Sequence, residues 1–255
     1  MLSLKGLPIA RPLKGQEGYV YTTKDTPVTV CPFLEGVQAV SEDHTIKDHI
    51  RVPSHRFVSG LFWDLHKQLS TFTPTVDNVP VARYRAVQAC LEDINRFTYE
   101  LEIAPDGKHI VDGFCIKCQE SIDENQPMSE QTLVHSDFER QNVLFAPNGR
   151  VNGLLDFDAL KRGSLLYEFS HTLFNFVCCD PIADKRDVDI YLEDFVKAGL
   201  LPIEDLGRIY SSMSRFCMDD LSGFLEIARK RPLDIYKIIS HYERALIFAY
   251  NNLKL

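Results

Sequence analysis

The chain has 255 residues, of which 45 % are hydrophobic and 25 % are charged, and its formal net charge is −8. These values are typical of a globular protein with one large or two small domains, and they exclude a disordered or fibrous chain. The acidic balance and the absence of a Lys and Arg run argue against a nucleic-acid partner. No apolar run approaches the roughly 20 residues of a membrane helix, so we expect no membrane partner.

The seven cysteines are expected to be reduced thiols. Their number is odd, and a domain of this length buries enough apolar surface without disulfides. With an N-terminus that lacks an apolar signal core, this predicts a cytoplasmic protein. Cys115 and Cys118 have metal-ligand spacing, but no matching second pair of Cys or His follows, so a zinc site is disfavoured. Cys178 and Cys179 lie in an apolar run, which favours burial.

Short strands are predicted first and amphipathic helices after them. Residues 18 to 33 alternate around a turn-like segment, which predicts a β-hairpin. Ser54 is placed to cap a helix whose apolar residues recur every four positions, and a second stripe follows. We predict that both stripes are core. The first consists of Phe57, Leu61, Leu65 and Leu69, and the second of Tyr84, Val87, Leu91, Ile94 and Phe97.

A second hairpin is predicted in the middle of the chain, from the short apolar segments "VLFA" and "VNGLLDFD". Pro147, Asn148 and Gly149 lie between them and favour a turn. Helices are predicted after this hairpin, at residues 185 to 198, 203 to 229 and 233 to 252, with prolines at their boundaries.

Three oxygen-bearing side chains are predicted to meet at one end of the second hairpin. Asp137 and Asn142 precede its first strand, and Asp156 ends its second strand. Phosphoryl transfer needs such a set, because one carboxylate orients the attacking hydroxyl and accepts its proton. Another carboxylate and an amide oxygen hold magnesium, which prefers hard oxygen ligands. The spacing of five residues between Asp137 and Asn142 allows the loop to turn back.

These segments resemble a known family. "HSDFERQNVLF" followed by "GLLDFD" is similar to the catalytic and metal-binding segments of the aminoglycoside phosphotransferase and choline kinase family. "GLPIARPL", "CPFLEG" and "LFWDLHKQL" resemble its fourth-strand approach, its hinge and the first helix of its helical lobe. "GSLLYEFSHTLF" resembles the segment after the metal-binding Asp.

The resemblance implies an α+β, protein-kinase-like fold with a truncated N-terminal lobe. Residues 1–36 would form a residual hairpin and the hinge. Residues 37–255 would form a mostly helical C-terminal lobe that carries the small catalytic hairpin.

The resemblance also implies roles for particular residues. Asp137 would be the catalytic base, and Asn142 with Asp156 would bind Mg. The backbone groups of Cys31 and Phe33 would bond the adenine edge of ATP, or the base of another NTP.

Four further residues near these positions are assigned supporting roles or depart from the family. His135 would support the loop backbone, and Asp158 would serve equally well as a cap or support behind the metal ligands, or as a direct metal contact. Arg140 is expected to be an exposed loop residue, with contact to phosphate or substrate as the alternative. Ser136 stands where the family has Gly, which raises strain if the position needs a positive φ.

The segment before the hinge departs from the family. About thirty residues precede "CPFLEG", whereas a phosphate loop, a Lys strand and a Glu helix need roughly 50 or more. We interpret "GQEG" at residues 15 to 18 as a turn. Three explanations stay open: a start downstream of the true one, a short native chain that binds without turnover, and a cation supplied from elsewhere.

The acceptor is expected to be a small molecule with a hydroxyl group. Net acidity fits an amine-bearing acceptor such as an aminosugar or choline, although homoserine kinases share this fold. Four residues are candidates for binding the acceptor, although residues of these types more often are simply solvated or part of the core. They are Asp219, Asp220, Glu226 and Trp63. We also expect the edge of the first hairpin to be covered by another chain, as in a homo-oligomer, or by the N-terminal ten residues.

The sequence therefore favours an ATP- and Mg-dependent phosphotransferase that acts on a hydroxyl of a small molecule, with an activity that the missing phosphate loop and Lys would impair. Two alternatives remain. One is a catalytically inactive, pseudokinase-like protein that binds a nucleotide or a partner. The other is a helical interaction protein in which the motif is coincidental.

Overall fold

The computed structural model describes residues 6–9, 21–23, 26–28, 31, 33–39, 52–72, 79–82, 84–123 and 131–253, with only the backbone for 21–23 and 26–28. These residues form a mixed α+β fold, as the resemblance implies. The described strands are β1 (Tyr21–Thr23), β2 (Thr26–Val28), β3 (Val37–Gln38), β4 (Gln131–Val134), β5 (Val143–Phe145), β6 (Val151–Leu154) and β7 (Lys161–Ser164). The described helices are α1 (His55–Ser70), α2 (Val87–Glu100), α3 (Pro105–Ser121), α4 (Leu165–Leu173), α5 (Lys185–Ala198), α6 (Ile209–Ala228) and α7 (Ile235–Asn252).

Both predicted hairpins form. β1 and β2 are antiparallel, with Tyr21 opposite Val28, although the described strands are shorter than the predicted span. β5 and β6 are antiparallel, and β3 pairs with the other edge of β5.

The free edge of β6 is covered by the N-terminal segment. Leu154 donates its N–H to the carbonyl of Pro8 at 2.7 Å, and Ile9 bridges Leu154 in parallel. This cover lies on the second hairpin. The predicted cover of the first hairpin stays a prediction, because residues 1–5 and 10–20 lie outside the described part.

A separate sheet of β4 and β7 leads the chain into the loop that carries Asp137. The two strands are antiparallel, with Gln131 opposite Ser164. This pairing was not predicted, because β7 is only four residues long and has no alternating pattern. Gly163 is needed there, since a Cβ at this position would lie 2.8 Å from both the Tyr84 hydroxyl and a Val134 methyl group.

The prediction that Tyr84 belongs to the second helix is wrong. Helix α2 begins at Val87, three residues later. The Tyr84 hydroxyl instead accepts a hydrogen bond from the backbone N–H of Ser164 at 2.6 Å. This contact ties the approach to α2 to the end of β7.

Phe57 is also a correction, because 40 % of it is exposed whereas the other members of its stripe are buried. Each step of four residues advances the helix by about 400°, so the stripe drifts by about 40° per step. Phe57 therefore lies on the flank of α1, where the guanidinium of Arg150 sits 5.7 Å from its ring centroid. Ser54 is the N-cap residue, but its side chain makes no capping hydrogen bond.

Helix α3 was not predicted, and it carries Cys115 and Cys118 into the core. Both side chains are buried, and burial raises the pKa of Cys115 to about 12. Among the described residues, no group of three or more His, Cys, Asp or Glu side chains is arranged to hold a metal ion. All seven cysteines are free thiols.

The C-terminal helices follow the predicted order. Helix α5 has the predicted bounds, while the predicted helix at 203 to 229 is a 3-10 segment, Ile203–Arg208, followed by α6. Helix α6 packs against α2, α3, α4 and α7 and is the central helix of this group. No described helix has both the length and the apolar character that crossing a membrane requires.

A π-helical turn, Phe174–Cys178, extends α4 and was not predicted. Its signature is the hydrogen bond from the N–H of Cys179 to the carbonyl of Phe174, five residues earlier, at 2.9 Å. Such turns insert one residue into a helix and leave backbone carbonyls for other partners.

Candidate functional site

Asp137 and Asn142 meet in the loop between β4 and β5. The amide nitrogen of Asn142 donates to the Asp137 carboxylate at 2.7 Å and to the Asp137 backbone carbonyl at 2.8 Å. A 3-10 turn, Arg140–Asn142, brings the chain back to make this contact. Because the nitrogen faces Asp137, the amide oxygen of Asn142 is directed elsewhere and is available as a ligand.

His135 supports the backbone of this loop through both of its ring nitrogens. It is fully buried, its Nδ1 accepts the N–H of Asp137 at 3.3 Å, and its Nε2 lies 3.0 Å from the carbonyl of Leu155. Since Nδ1 accepts, Nε2 carries the proton and donates to that carbonyl. Burial lowers the pKa of His135 despite the opposing charge of Glu168, so the ring is neutral.

Asp156 is held beside the same loop through its neighbour. The N–H of Leu155 donates to the carbonyl of Asn142 at 2.8 Å. Asp156 itself is exposed, has a left-handed backbone with φ of 57°, and accepts the N–H of Asp158 at 3.3 Å. The backbone of Asp158 thus helps to hold the Asp156 carboxylate in place.

Neighbouring charges and burial act on the pKa of Asp137. Burial is the largest cause that raises the pKa of Asp137, and the charges of Glu139 and Asp156 raise it further. The hydrogen bond from Asn142 opposes this rise. Repulsion between Asp137 and Asp156 means that a cation near them would be stabilised.

The donor set fits magnesium. The Asn142 amide oxygen and the Asp156 carboxylate are hard oxygen ligands, and magnesium sites in phosphotransferases commonly use one or two carboxylates with substrate phosphates. The structure brings Asp137 and Asn142 into contact. It gives no direct contact between Asp156 and either of them.

The backbone of Ser136 is strained in this loop, because its φ is 68°. This is the positive-φ case in which Ser in place of Gly raises strain. Its N–H and that of His135 both donate to the carboxylate of Glu168, the latter at 3.2 Å. Two backbone hydrogen bonds to one buried carboxylate hold the strained residue in place.

Glu168 is a site residue that sequence reasoning missed. It is buried in the first turn of α4, and its Oε2 lies 2.9 Å from His66 Nε2 on α1. Burial opposes its ionisation, but the interaction with His66 and the hydrogen bond from the N–H of Ser136 outweigh burial and lower the pKa of Glu168. The signal available in the sequence was an acidic residue within the apolar run "SLLYEFS".

Arg140 is buried, which corrects the expectation of an exposed loop residue. Its Nε donates to the carbonyl of Asn175 at 2.7 Å, and one terminal nitrogen lies 3.4 Å from the carbonyl of Phe176. Both acceptors belong to the π-helical turn. The turn therefore receives the guanidinium and ties the loop to the end of α4.

Glu139 forms a second tie between the loop and α4. Its carboxylate lies 3.1 Å from His171 Nε2, while its backbone bonds Asp137 and Asn142 at 2.9 and 3.0 Å. Burial disfavours the protonated form of His171, but the hydrogen bond and charge of Glu139 outweigh burial and raise the pKa of His171.

Cys31 and Phe33 lie on the surface, and 89 % of Phe33 is exposed. No contact joins either residue to the Asp137 loop within the described part of the chain. Their segment is nevertheless linked to the hairpin of β5 and β6, because Asn152 on β6 donates its amide to the carbonyl of Glu35 at 2.5 Å.

The candidate acceptor residues do not form one group. Trp63 is buried in an aromatic core with Phe62 and Phe169, and Glu226 is an exposed residue 3.9 Å from Lys230. Asp219 lies 3.8 Å from Arg85. Asp220 accepts a hydrogen bond from the hydroxyl of Tyr242, and burial raises the pKa of Asp220 to about 6.

Solved structures share this fold. An aminoglycoside phosphotransferase from Alicyclobacillus acidocaldarius has a TM-score of 0.66 at 10 % identity, over 98 % of this chain and 76 % of that one. A spectinomycin phosphotransferase in complex with ADP and spectinomycin has a TM-score of 0.66 at 12 % identity, over 99 % and 79 %. A microcompartment-associated aminopropanol kinase has a TM-score of 0.57 at 17 % identity, over 97 % and 76 %.

No curated protein matches the sequence significantly. A family model does match, and its span includes both the hinge-like segment and the loop that carries Asp137 and Asn142. Over residues 2–206, the sequence fits the phosphotransferase enzyme family, and the chain therefore belongs to that family.

Proposed function

We propose that the chain is an ATP- and magnesium-dependent phosphotransferase that acts on a hydroxyl of a small molecule. The contact between Asn142 and the Asp137 carboxylate carries this proposal, because it fixes the position of a half-buried carboxylate. Family membership and the kinase-like neighbours support the reaction class.

In this proposal Asp137 orients the acceptor hydroxyl and accepts its proton as the oxygen attacks the terminal phosphoryl group. The raised pKa of Asp137, caused first by burial and then by the charge of Glu139, makes its carboxylate a better proton acceptor. His135 and Glu168 keep the loop backbone in position and do not touch the reacting atoms.

Asn142 and Asp156 would hold the magnesium ion. The ion would neutralise charge on the nucleotide phosphates and on the transferred group. Asp156 follows the end of β6 and has a left-handed backbone. The hydrogen bond from the N–H of Leu155 to the carbonyl of Asn142 holds this part of the chain beside Asn142.

The backbone groups of Cys31 and Phe33 would bond the base of ATP or of another NTP. Support comes from the neighbour solved with ADP and from the hydrogen bond between Asn152 and Glu35, which ties this segment to the hairpin before Asp156. The free state of all seven thiols supports a reducing compartment, so we propose the cytoplasm as the site of action.

The test is transfer of labelled phosphate from ATP to a panel of small hydroxyl compounds with magnesium. We expect turnover by the wild-type chain and a loss of about 10²-fold or more in Asp137→Asn, which keeps the size and the neighbour contact of the carboxylate. Magnesium-dependent ATP binding by a well-folded wild-type chain that never transfers phosphate would contradict the proposal and support the inactive, nucleotide-binding alternative.

A further inference from the structure

A small cavity lies directly beside the Asp137 loop. Its volume is about 50 Å³, and its wall includes Ser136, the residue before Asp137. This space has room for a small polar group such as a carboxylate. The cavity can therefore take one end of an acceptor, while the rest of the molecule lies outside it.

The side chain of Lys161 brings a positive charge to this cavity. Lys161 is the first residue of β7 and lies opposite Val134, so both side chains project from the same face of the sheet. Within the described ranges, no acidic side chain forms an ion pair with Lys161. The four lysines of α3 and α5, in contrast, all form ion pairs.

Tyr84 adds a hydrogen-bond donor to the same wall. Its oxygen already accepts the N–H of Ser164, so its own hydrogen remains for another acceptor. Burial raises the pKa of Tyr84 to about 12, which keeps that hydrogen in place at neutral pH.

The acidic groups around the cavity are already engaged. Glu168 lines the wall, but its two oxygens accept the N–H groups of His135 and Ser136 and contact His66. His171 also lines it, with the carboxylate of Glu139 at 3.1 Å. Lys161 is therefore the uncompensated charge that the described wall presents, in a chain whose net charge is −8.

We propose that this cavity binds a carboxylate of the acceptor, so that the substrate is a small hydroxy acid whose hydroxyl reaches Asp137. The inference rests on the proposed function for the role of Asp137. It differs from the amine-bearing acceptor that net charge alone favours, because local charge and donors decide what binds a pocket of this size.

Three compounds with the same diol backbone test the proposal. They are glycerate, glycerol and 3-aminopropane-1,2-diol, which carry an anionic, a neutral and a cationic end. Calorimetric titration of the full chain with a non-hydrolysable ATP analogue and magnesium measures their binding without requiring turnover. We expect glycerate to bind at least tenfold more tightly than either of the others.

Two substitutions on β7 provide a matched comparison. Lys161→Gln removes the charge at the cavity, whereas Arg162→Gln removes a charge from the next, exposed residue, whose side chain projects from the opposite face. We expect Lys161→Gln to abolish the preference for glycerate, Arg162→Gln to keep it, and Lys161→Arg to retain part of it. Circular dichroism confirms that each variant is folded.

The outcomes separate this inference from the proposed function. Equal binding of the three compounds, tightest binding of the amine, or equal effects of Lys161→Gln and Arg162→Gln would overturn the carboxylate site. If glycerate binds in a Lys161-dependent way but is never phosphorylated, the carboxylate site stands and the kinase proposal fails. If the amine is phosphorylated in preference to glycerate, the kinase proposal stands and the carboxylate site fails.

Discussion

The side-chain amide of Asn142 donates to both the carboxylate and the backbone carbonyl of Asp137, at 2.7 and 2.8 Å. One residue thus orients the proposed base and closes the loop behind it. Asn142→Ala should lower kcat by about 10²-fold or more, because the base loses its orientation and the metal site loses an oxygen ligand. Steady-state kinetics at several magnesium concentrations measure both effects.

Asn148→Ala is the control for this prediction. Asn148 lies in the exposed turn between β5 and β6, where its side chain accepts the N–H of Arg150 at 3.1 Å. Its loss should leave kcat and the magnesium dependence unchanged. Equal activity of the Asn142 and Asn148 variants would show that Asn142 does not serve the reaction.

Ser136→Gly should stabilise the protein by about 0.5–1 kcal/mol, because Gly adopts a positive φ without the steric cost that Ser bears. The gain is partial, since Gly also increases the conformational entropy of the unfolded chain. Urea denaturation measures the free energy of unfolding. Glu102→Gly is a matched control with φ of 50° outside the site, and it should stabilise similarly. A destabilised Ser136→Gly variant would mean that the serine side chain contributes more than its backbone costs.

Glu168→Gln should lower the free energy of unfolding at pH 7 by about 3 kcal/mol, because it removes a buried carboxylate that accepts two backbone N–H groups and contacts His66. The folded pKa of Glu168 lies below its ordinary value of 4.5. Its stabilising contribution is therefore fully present above pH 4.5 and is lost as the pH falls through the folded pKa.

Denaturation of the wild-type and Glu168→Gln chains from pH 7 down to pH 3 measures this difference. The gap between them should narrow below about pH 4.5. Glu226→Gln, at an exposed position, should show no comparable gap. A gap that stays constant over the whole range would contradict an ionised Glu168 in the folded protein.

Asp220→Asn should make stability less dependent on pH. Burial raises the pKa of Asp220 from 3.8 to about 6, so between these values the folded protein keeps a proton that the unfolded chain has released. Stability from this group therefore falls as the pH rises through that window. The variant should gain up to about 3 kcal/mol over the wild type above pH 6, because each pKa unit corresponds to about 1.36 kcal/mol.

Tyr242→Phe provides the opposite change for comparison. The Tyr242 hydroxyl donates to Asp220 and favours its carboxylate, so its loss should raise the pKa of Asp220 further and extend the falling region to higher pH. Denaturation at pH values between 4 and 8 distinguishes the two variants. Parallel profiles for the wild type and Asp220→Asn would place Asp220 in a more solvated state than its burial indicates.

The part of the site that could be predicted from sequence is local. The loop between Asp137 and Asn142 spans five residues, and the turn at residues 147 to 149 fixes the hairpin that follows. The convergence of Asp156 on the same pocket stays a prediction, although its backbone neighbour Leu155 bonds both His135 and Asn142.

What could not be predicted depends on partners far apart in the chain. Arg140 is buried with its guanidinium donating a hydrogen bond to the carbonyl of Asn175. The residues around Arg140 in the sequence do not indicate that acceptor. Glu168 is buried because two N–H groups over thirty residues earlier face it. The prediction that Phe57 is a core residue was wrong for a local reason, since a strict four-residue repeat does not keep to one face of a helix.

The π-helical turn also sets the register of everything that follows it. One extra residue in a helix rotates the downstream chain by about 100° relative to a regular helix. Deleting a single residue from Phe174–Cys178 would restore regular geometry but would turn Asp180 away from Val52, whose N–H its carboxylate now accepts at 3.0 Å. Natural sequences of this architecture that lack the inserted residue should therefore also lack an arginine at the position of Arg140, so the two features are expected to be gained or lost together.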